Sequence, residues 1–308
     1  MTTKVNAAAQ ASSPARVAAP AWRSILYVPV NVSRFVEKAP HAGADAIQLD
    51  LEDSIAPDAK DSARGMVAAV AHRLASAGAT VLVRINRPIA MAVRDIEAAV
   101  GPDVQAISIT KVASPDHVRL LDEVLSECEA RRGMAHGHTR LLVMIETPQA
   151  FEAMREIAGA SPRVAAMSLG AEDFALECGF TPGEDTLLLP KQMMVIAARA
   201  AGVMPVGYIG SVVDFSDEVA FGAMVQRSRR FGFDAATCIH PKQVAIVNRM
   251  YGVSAGEAAQ ARRLVDESTR QLAAGRGAFQ LDGKMVDAPL VARASRVLAR
   301  YEAFGEAA

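Results

Sequence analysis

Eight short apolar runs, each about as long as a β-strand, alternate with helix-like segments between Ser24 and Ile239. The runs are nearly continuous in aliphatic and β-branched residues, which is typical of parallel strands buried on both faces. The predicted strands cover residues 24–29, 45–50, 80–85, 105–110, 140–145, 164–169, 203–208 and 234–239. Eight such units predict an α/β fold of the (β/α)8 TIM-barrel type, with a doubly wound open sheet as the alternative.

The segments between and after these runs define the predicted domain organisation. Ser-Pro, Thr-Pro and His-Pro pairs at Ser114, Thr147 and His240 are typical helix starts. Residues 22–252 form the predicted barrel, and residues 253–308 form an extension that serves as a lid or oligomerisation arm. Within this extension we expect a helix over 254–275, a hairpin turning at Asp282-Gly283 and a final helix over 289–304.

The N-terminal residues 1–21 are rich in Ala, Ser and Pro and have no apolar periodicity. We interpret them as a disordered tail, with an organellar targeting peptide as the alternative.

Composition excludes several classes of protein. Of the 308 residues 51% are hydrophobic and 22% charged, and the net charge of −1 gives no bias toward nucleic acid or anionic membranes. No apolar run approaches the roughly 20 residues that a bilayer span requires. The three cysteines, Cys128, Cys178 and Cys238, contain no CxxC pair, which favours a reducing cytoplasm over a disulfide framework. Phosphate-loop, HExxH and GxSxG motifs are also missing from the sequence.

Charged residues stand at the ends of four of the predicted strands. They are Asp50-Leu51-Glu52-Asp53, Arg84, Glu146 and Glu172-Asp173. In a parallel barrel the C-terminal strand ends meet at one mouth, where active sites are built. We therefore expect carboxylates and a guanidinium to share a small volume that suits a divalent cation and an anionic substrate.

Glu146 and Asp173 are the predicted metal ligands, because a hard cation such as Mg²⁺ prefers carboxylate oxygens and often takes only one or two from the protein. The alternative for each is capping of the following helix. Asp50, Glu52 and Asp53 are predicted to surround the ligands, holding metal-bound water or orienting the ligand side chains. The alternative for Glu52 and Asp53 is a structural ion pair with Arg84 or Lys111, and Asp50 is interpreted in the same way.

Arg84 is predicted to bind the substrate, since a planar guanidinium can grip a carboxylate or a developing enolate oxygen. The alternative is a structural pair with Glu52. Gly170 and Ala171 open a helix, and their backbone N–H groups are candidate binders of a substrate carboxylate. For His240, a packed structural role is favoured over catalysis.

Several motifs in the same order resemble the citrate lyase beta subunit family, the acyl-CoA lyase branch of the HpcH/HpaI aldolase superfamily. The likeness covers residues 22–304 and is specific because it depends on several multi-residue motifs. These motifs are RSILYVPVNVSRFVEKAPHAGADAIQLDLEDSIAPDAKDSAR, VRINRP, IETPQAF, LGAEDFALECG, FGFDAATCIHPKQV and LDGKMVDAP.

The resemblance implies a (β/α)8 barrel with a C-terminal extension, assembled as a homotrimer or hexamer. It implies Mg²⁺, with Mn²⁺ as a substitute, and cleavage or formation of a C–C bond in a 3-hydroxyacyl-CoA thioester such as malyl-CoA or citramalyl-CoA. By similarity the metal ligands fall on Glu146 and Asp173, and the predicted catalytic residues are Arg84, Glu52 and Asp287. Asp287 corresponds to an aspartate that reaches a neighbouring subunit's site.

Arg23, Arg34 and Lys38 are candidate CoA contacts, because they lie in sequence near the first β/α loop. The alternatives to a CoA lyase are a beta subunit acting on citryl-carrier-protein thioester, a malyl-CoA thioesterase and, least favoured, a non-catalytic binder of CoA esters. Two departures from the family pattern, Val30 and Thr110-Lys111, border the mouth and bear on acyl or CoA specificity.

Overall fold

The computed structural model describes residues 20–212 and 216–306, which contain a barrel of eight parallel strands. The strands are β1 Ser24–Pro29, β2 Ala46–Asp50, β3 Thr80–Ile85, β4 Val104–Ile109, β5 Arg140–Ile145, β6 Val164–Leu169, β7 Met204–Val206 and β8 Ala236–Cys238. They follow one another in sequence order, and β1 also pairs with β8. A bridge between Val206 and Ala235 closes the ring between β7 and β8. The predicted (β/α)8 barrel is confirmed.

The last two strands are shorter than the sequence predicts, at three residues each. In β7, Pro205 has no N–H to donate to a ladder. Gly207 then takes a φ of 145°, which ends the extended conformation.

Helices on the outside of the barrel connect the strands. They are α1 Ser33–Lys38, α2 Lys60–Ser76, α3 Ile89–Ala99, α4 Pro115–Arg131, α5 Pro148–Glu152, α6 Met154–Ala158, α7 Ala171–Cys178, α8 Glu184–Ala200, α9 Glu218–Arg230 and α10 Pro241–Tyr251. Three starts follow the predicted caps. Ser114 accepts a hydrogen bond from the N–H of His117, Thr147 from that of Ala150, and His240 from that of Lys242.

The barrel interior alternates large and small side chains around the ring. The residues from odd-numbered strands are large and those from even-numbered strands, or just before them, are alanine. The two sets are Ile25, Leu82, Leu142 and Met204, against Ala46, Ala106, Ala166 and Ala235. Large residues therefore fill the space that the alanines leave, as expected for a packed barrel centre. Nearer the mouth the interior becomes polar, and the Ser108 hydroxyl donates to Gln48 Oε1 at 2.5 Å.

The C-terminal extension consists of α11 Ala255–Ala273, a hairpin of β9 Phe279–Leu281 and β10 Lys284–Val286, and α12 Ala288–Phe304. The predicted Asp282-Gly283 turn is confirmed, with φ of 51° and 74°.

The C-terminal end of α12 is anchored beneath the barrel, at the N-terminal ends of the strands. Arg300 donates to the carbonyls of Tyr251 and Asp234, each at 2.6 Å, and the Phe304 ring lies 4.6 Å from the Arg23 guanidinium. The extension is therefore attached to the barrel at the N-terminal ends of the strands, opposite the mouth. Its use as a lid or oligomerisation arm stays a prediction.

The predicted N-terminal tail falls mostly on residues 1–19, outside the described residues. Among the helices of the described ranges, none has the length and apolarity needed to cross a bilayer.

Candidate active site

A cavity of about 810 Å³ opens at the C-terminal ends of the strands. Its walls include Asp50, Arg84, Glu146, Gly170 and Asp173, from the ends of β2, β3, β5 and β6. The predicted convergence of charged residues at one mouth is therefore what the structure shows. Their mutual contacts define what the cavity can bind.

Arg84 is paired with the three acidic side chains of the segment Asp50-Leu51-Glu52-Asp53. Its Nε and Nη2 donate to the two oxygens of Asp50, both at 2.7 Å, and its Nη1 lies 2.8 Å from Glu52 Oε2 and 3.4 Å from Asp53 Oδ2. The guanidinium also stacks over the Tyr27 ring at 4.7 Å. Burial opposes ionisation of Asp50, but its bonds with Arg84 prevail and lower the pKa of this carboxyl. The structural pairing of Arg84 with Glu52 is therefore present, and Arg84 still lines the cavity as a substrate contact would.

Lys111 connects the carboxylates of the mouth: its pairing with Glu52 was an alternative from sequence, whereas its contacts with Glu146 and Asp173 were not predicted. Its backbone N–H donates to Glu146 Oε2 at 2.5 Å. Its ammonium lies 3.1 Å from Glu52 Oε1 and 3.3 Å from Asp173 Oδ1. Lys111 has a φ of 45°, uncommon for a residue with a side chain, and such strained positions often occur at functional sites. Lys111 thus contacts acidic side chains that follow three different strands, one through its backbone N–H and two through its ammonium group.

Glu146 is buried, with 2% of its surface exposed, and packs against a glycine. A Cβ at Gly170 would lie 2.7 Å from Glu146 Cγ and Oε1, so only glycine leaves room for this carboxyl group. Burial raises the pKa of Glu146 to about 7, and the neighbouring Glu52 and Asp173 also favour the protonated form. A positive ion beside Glu146 would relieve both effects.

The donor set fits a hard divalent cation. Glu146 and Asp173 present carboxylate oxygens to one cavity, and Gly170 shapes the space around the first of them. Among residues 20–212 and 216–306, no three His, Cys, Asp or Glu side chains are grouped as a complete metal cage. A Mg²⁺ site made of two carboxylates, water and substrate oxygens requires no such cage.

Glu52 is close to Arg84 and Lys111, and burial raises its pKa although the positive charges of Arg84 and Lys111 act to lower it.

Gly170 and Ala171 lie at the start of α7, with Gly170 as its N-cap, and both line the cavity. The His240 side chain caps α10, in agreement with the structural role favoured from sequence, although it also reaches the cavity wall.

The placement of Arg23 near the first β/α loop is wrong. Arg23 precedes β1 and therefore lies at the opposite end of the barrel, where its side chain forms two hydrogen bonds with Asp45, at 2.9 and 2.8 Å. Arg34 and Lys38 do follow β1. Lys38 lines the cavity beside the half-exposed Phe35, and the Arg34 guanidinium stacks on the Phe35 ring at 4.7 Å.

Asp287 is not among the residues that line this cavity. It caps α12, accepting a hydrogen bond from the N–H of Leu290 at 3.4 Å, and is exposed. A role at the mouth would require the Asp287 of another copy of the chain.

Lys191 is a cavity residue that the sequence interpretation missed. It lies on the buried face of α8 with Leu187, Met194 and Ala198. A lysine at a position where helical periodicity requires an apolar residue was the available signal.

A sequence model of the HpcH/HpaI aldolase/citrate lyase family matches residues 23–241. The chain is 32% identical to the citrate lyase subunit beta of Escherichia coli K12, over 92% of this chain and 94% of the relative. It is also 32% identical to the L-malyl-CoA/beta-methylmalyl-CoA lyase of Rhodobacter capsulatus, over 95% and 97%. The protein CitE from Mycobacterium tuberculosis, solved with magnesium, acetoacetate and coenzyme A, superposes with a TM-score of 0.72 at 27% identity, over 91% and 97%.

Proposed function

The chain belongs to the HpcH/HpaI aldolase/citrate lyase family and is a lyase, and we propose that it cleaves or forms the C–C bond of a 3-hydroxyacyl-CoA thioester. Malyl-CoA and citramalyl-CoA are the proposed substrates, giving an α-keto acid and a shorter acyl-CoA. The observation that supports this proposal most strongly is that the Glu146 carboxylate packs against Gly170 and lines the same cavity as Asp173.

Glu146 and Asp173 are the proposed ligands of Mg²⁺, and Mn²⁺ suits the same oxygens. A divalent cation held there supplies Lewis-acid polarisation of the oxygens of the hydroxy acid or the keto acid. The backbone N–H of Lys111 fixes the Glu146 carboxylate, and the Lys111 ammonium bridges Asp173 and Glu52. These contacts hold the two carboxylates in place before substrate arrives.

Arg84 is the proposed stabiliser of negative charge on the substrate. Asp50, Glu52 and Asp53 orient its guanidinium, and Asp50 alone uses two of its nitrogens. The backbone N–H groups of Gly170 and Ala171 are the proposed additional donors to the substrate carboxylate.

In the cleavage direction the substrate hydroxyl gives its proton to a carboxylate at the mouth, for which Glu52 is the proposed acceptor, and its oxygen becomes the keto oxygen. The C–C bond breaks and its electron pair forms the thioester enolate. The enolate carbon then takes a proton from the partner subunit's Asp287, which removes that proton in the reverse direction. This assignment implies a homo-oligomer, proposed as a trimer or hexamer, because Asp287 of the same chain lies outside the cavity.

The CoA moiety is proposed to extend past Lys38 and the stacked pair of Arg34 and Phe35. These residues follow β1 at the cavity rim, where cationic side chains can meet phosphates and Phe35 offers an exposed ring for the adenine.

Mass spectrometry of reactions with malyl-CoA, citramalyl-CoA, β-methylmalyl-CoA and citryl-CoA tests the function directly. A shorter acyl-CoA together with the matching keto acid, formed with Mg²⁺ and abolished by EDTA, is the expected result. Free CoA with intact hydroxy acid would identify a thioesterase instead. Absence of turnover of all four thioesters would contradict a stand-alone CoA lyase.

A carrier-protein thioester is the second candidate substrate, favoured by the identity with the E. coli citrate lyase subunit beta over 92% of the chain. The same assay with citryl-loaded acyl carrier protein distinguishes the carrier-protein thioester from the free CoA thioester as substrate. Cleavage of the carrier thioester with no turnover of the free CoA ester would favour a subunit of a larger complex.

A further inference from the structure

The Tyr27 hydroxyl lies in the wall of the active-site cavity and has only a weak hydrogen-bond acceptor. Tyr27 follows Ile25 of the barrel centre by two residues on β1, so its side chain points into the barrel interior. Within residues 20–212 and 216–306, its hydroxyl donates only to Met144 Sδ, at 3.9 Å. A thioether sulfur is a weak acceptor, whereas most buried polar groups find a full partner. This hydroxyl therefore requires an explanation.

Met144 places the Tyr27 hydroxyl beneath the proposed metal ligand Glu146. Met144 lies on β5 two residues before Glu146, so both face the cavity and Met144 lies about 6–7 Å deeper. Tyr27 itself belongs to β1, and the proposed CoA contacts Arg34 and Lys38 follow that strand. The Tyr27 side chain thus crosses the interior from the CoA side to the metal side. The thioester carbonyl must lie in this interval, because one half of the substrate binds the metal and the other is joined to CoA.

Arg84 lies at the same place, but the protein already uses much of its donor capacity. Its guanidinium is 4.7 Å from the centre of the Tyr27 ring. Asp50 binds its Nε and Nη2, and its Nη1 lies within 4 Å of both Glu52 and Asp53. A substrate oxygen that acquires negative charge beside Arg84 therefore benefits from a further donor. The Tyr27 hydroxyl is in a position to supply it.

Gln48 leaves the Tyr27 hydroxyl free to donate into the cavity. Its Oε1 accepts a hydrogen bond from the Ser108 hydroxyl, and its Nε2 has no hydrogen-bond partner among the described residues. Gln48 can therefore offer Tyr27 only its amide hydrogens, which attract the Tyr27 oxygen and not its proton. Burial raises the pKa of Tyr27 above its ordinary value, and Arg84 and the nearby Gln48 amide oppose this only in part. Tyr27 thus keeps its proton at neutral pH.

We propose that the Tyr27 hydroxyl donates a hydrogen bond to the thioester oxygen of the substrate and, with Arg84, stabilises the enolate that forms when the C–C bond breaks. This inference rests on the proposed lyase function and adds a catalytic residue to it. As the electron pair of the broken bond forms the enolate, negative charge develops on the thioester oxygen. Tyr27 shares its proton with that oxygen without transferring it. A donor placed where charge develops in the transition state accelerates the reaction without tightening substrate binding.

Tyr27→Phe tests the inference, because it removes the hydroxyl and keeps the ring beside Arg84. With the thioester that the wild-type protein cleaves, kcat and kcat/KM should both fall by about 100-fold while KM changes little. The affinity for Mg²⁺ should stay at the wild-type value, since the Glu146 and Asp173 carboxylates are untouched. Steady-state kinetics and magnesium titration measure these quantities.

Exchange of the α-hydrogens of acetyl-CoA with D₂O measures enolate formation separately. Malyl-CoA and citramalyl-CoA both yield acetyl-CoA, and the reverse reaction begins by removing one of its α-hydrogens. In the presence of Mg²⁺ and the keto acid, Tyr27→Phe should slow this exchange by a factor similar to its loss of kcat. Mass spectrometry of the acetyl-CoA follows the exchange.

Tyr301→Phe is the matched control, since it removes a tyrosine hydroxyl on α12, outside the cavity wall, and should keep wild-type kinetics. Tyr27→Phe should fold, because the hydroxyl that it removes has only a thioether partner, and urea unfolding verifies this. Tyr27→Leu removes the ring as well, so it measures separately what the ring contributes to the placement of Arg84.

Three outcomes overturn the inference. Tyr27→Phe could keep the wild-type kcat, in which case any loss in Tyr27→Leu would belong to the ring alone. It could raise KM alone, so that the hydroxyl would bind the ground state and the transition state equally. It could also lower kcat with wild-type exchange, which would place the hydroxyl in another step.

In all three outcomes the wild-type protein still cleaves its thioester, and the lyase proposal stays intact. Absence of cleavage by the wild-type protein would instead contradict the proposed function, and this inference with it.

Discussion

Gly170 and Glu146 are in such close contact that no side chain fits between them: a Cβ at Gly170 would lie 2.7 Å from Cγ and Oε1 of Glu146. The φ of Gly170 is −71°, so its backbone conformation is open to any residue and the requirement for glycine is purely steric. The two residues come from the ends of adjacent strands, β5 and β6.

Gly170→Ala should displace the Glu146 carboxylate and weaken Mg²⁺ binding, with a loss of kcat/KM of about 100-fold or more. Magnesium titration and steady-state kinetics measure both effects. Gly65→Ala is the matched control: nothing lies within 4 Å of its added Cβ, and in helix α2 it should increase the free energy of unfolding by about 0.5–1 kcal/mol. Wild-type kinetics in Gly170→Ala would contradict the proposed metal site.

The pairing of Arg84 with Asp50 permits a double-mutant cycle that separates structural from catalytic effects. Arg84→Gln leaves Asp50 buried without its partner and should reduce the free energy of unfolding by about 3 kcal/mol. Adding Asp50→Asn should restore much of that stability, but not the activity if Arg84 contacts the substrate. Denaturant unfolding and kinetics on the four variants measure the two effects.

Recovery of activity together with stability in that double variant would make Arg84 a purely structural residue. Arg119→Gln is the control, because Arg119 pairs with Asp116 at the surface and its loss should cost less than about 1 kcal/mol.

The stability of the protein should depend on the protonation of Lys191. Burial lowers its pKa from 10.5 to about 7 in the folded state. Between these values the unfolded chain binds more protons than the folded one, so the Lys191 contribution makes the free energy of unfolding rise with pH from about 7 to 10.5. Below pH 7 both states are protonated and the full penalty is present.

Lys191→Met removes that penalty, so it should be more stable than the wild type by a few kcal/mol at or below pH 7. The difference should shrink as the pH rises toward 10. Urea unfolding of both proteins at several pH values measures it. A difference that stays constant with pH would show that Lys191 does not titrate in this range.

The proposed action of Asp287 across subunits predicts complementation between two inactive variants. Asp287→Asn and Glu146→Gln should each lose activity, since one lacks the proton donor and the other a metal ligand. Mixed in equal amounts after subunit exchange, they should regain about a quarter of the wild-type activity through sites with both residues intact.

Activity that never returns after verified exchange would place Asp287 outside the reaction or within its own subunit's site. Asp282→Asn is the control, because it changes an exposed acid of the same hairpin arm at a φ of 51°, which asparagine also adopts. It should remain active alone.

The two ends of the barrel should respond differently to loss of a basic residue. Lys38→Gln and Arg34→Gln should each raise KM for the CoA thioester by several-fold with little change in kcat. Arg23→Gln should leave KM unchanged and lower the thermal stability, because Asp45 loses its partner. An increased KM in Arg23→Gln would contradict its placement beneath the barrel.

The sequence alone determined the barrel and the composition of its mouth. The spacing of apolar residues, the length of each strand and the alternation of strands with helices are local properties of the sequence. Once eight parallel strands close into a barrel, the residues at their C-terminal ends must lie around one mouth. Asp50, Arg84, Glu146 and Asp173 could therefore be brought together from sequence. Asp282-Gly283 specified its turn for the same reason, since its φ preferences are local.

Only the tertiary structure decided which charges compensate one another. Lys111 bridges acids from three strands because its backbone takes a positive φ, and Lys191 reaches the cavity because α8 packs against Gly210. Arg23 seemed close to Lys38 in sequence, yet β1 separates them by the height of the barrel. Pairing energy and burial depend on distances between atoms far apart in the chain, and no local pattern of residues encodes those distances.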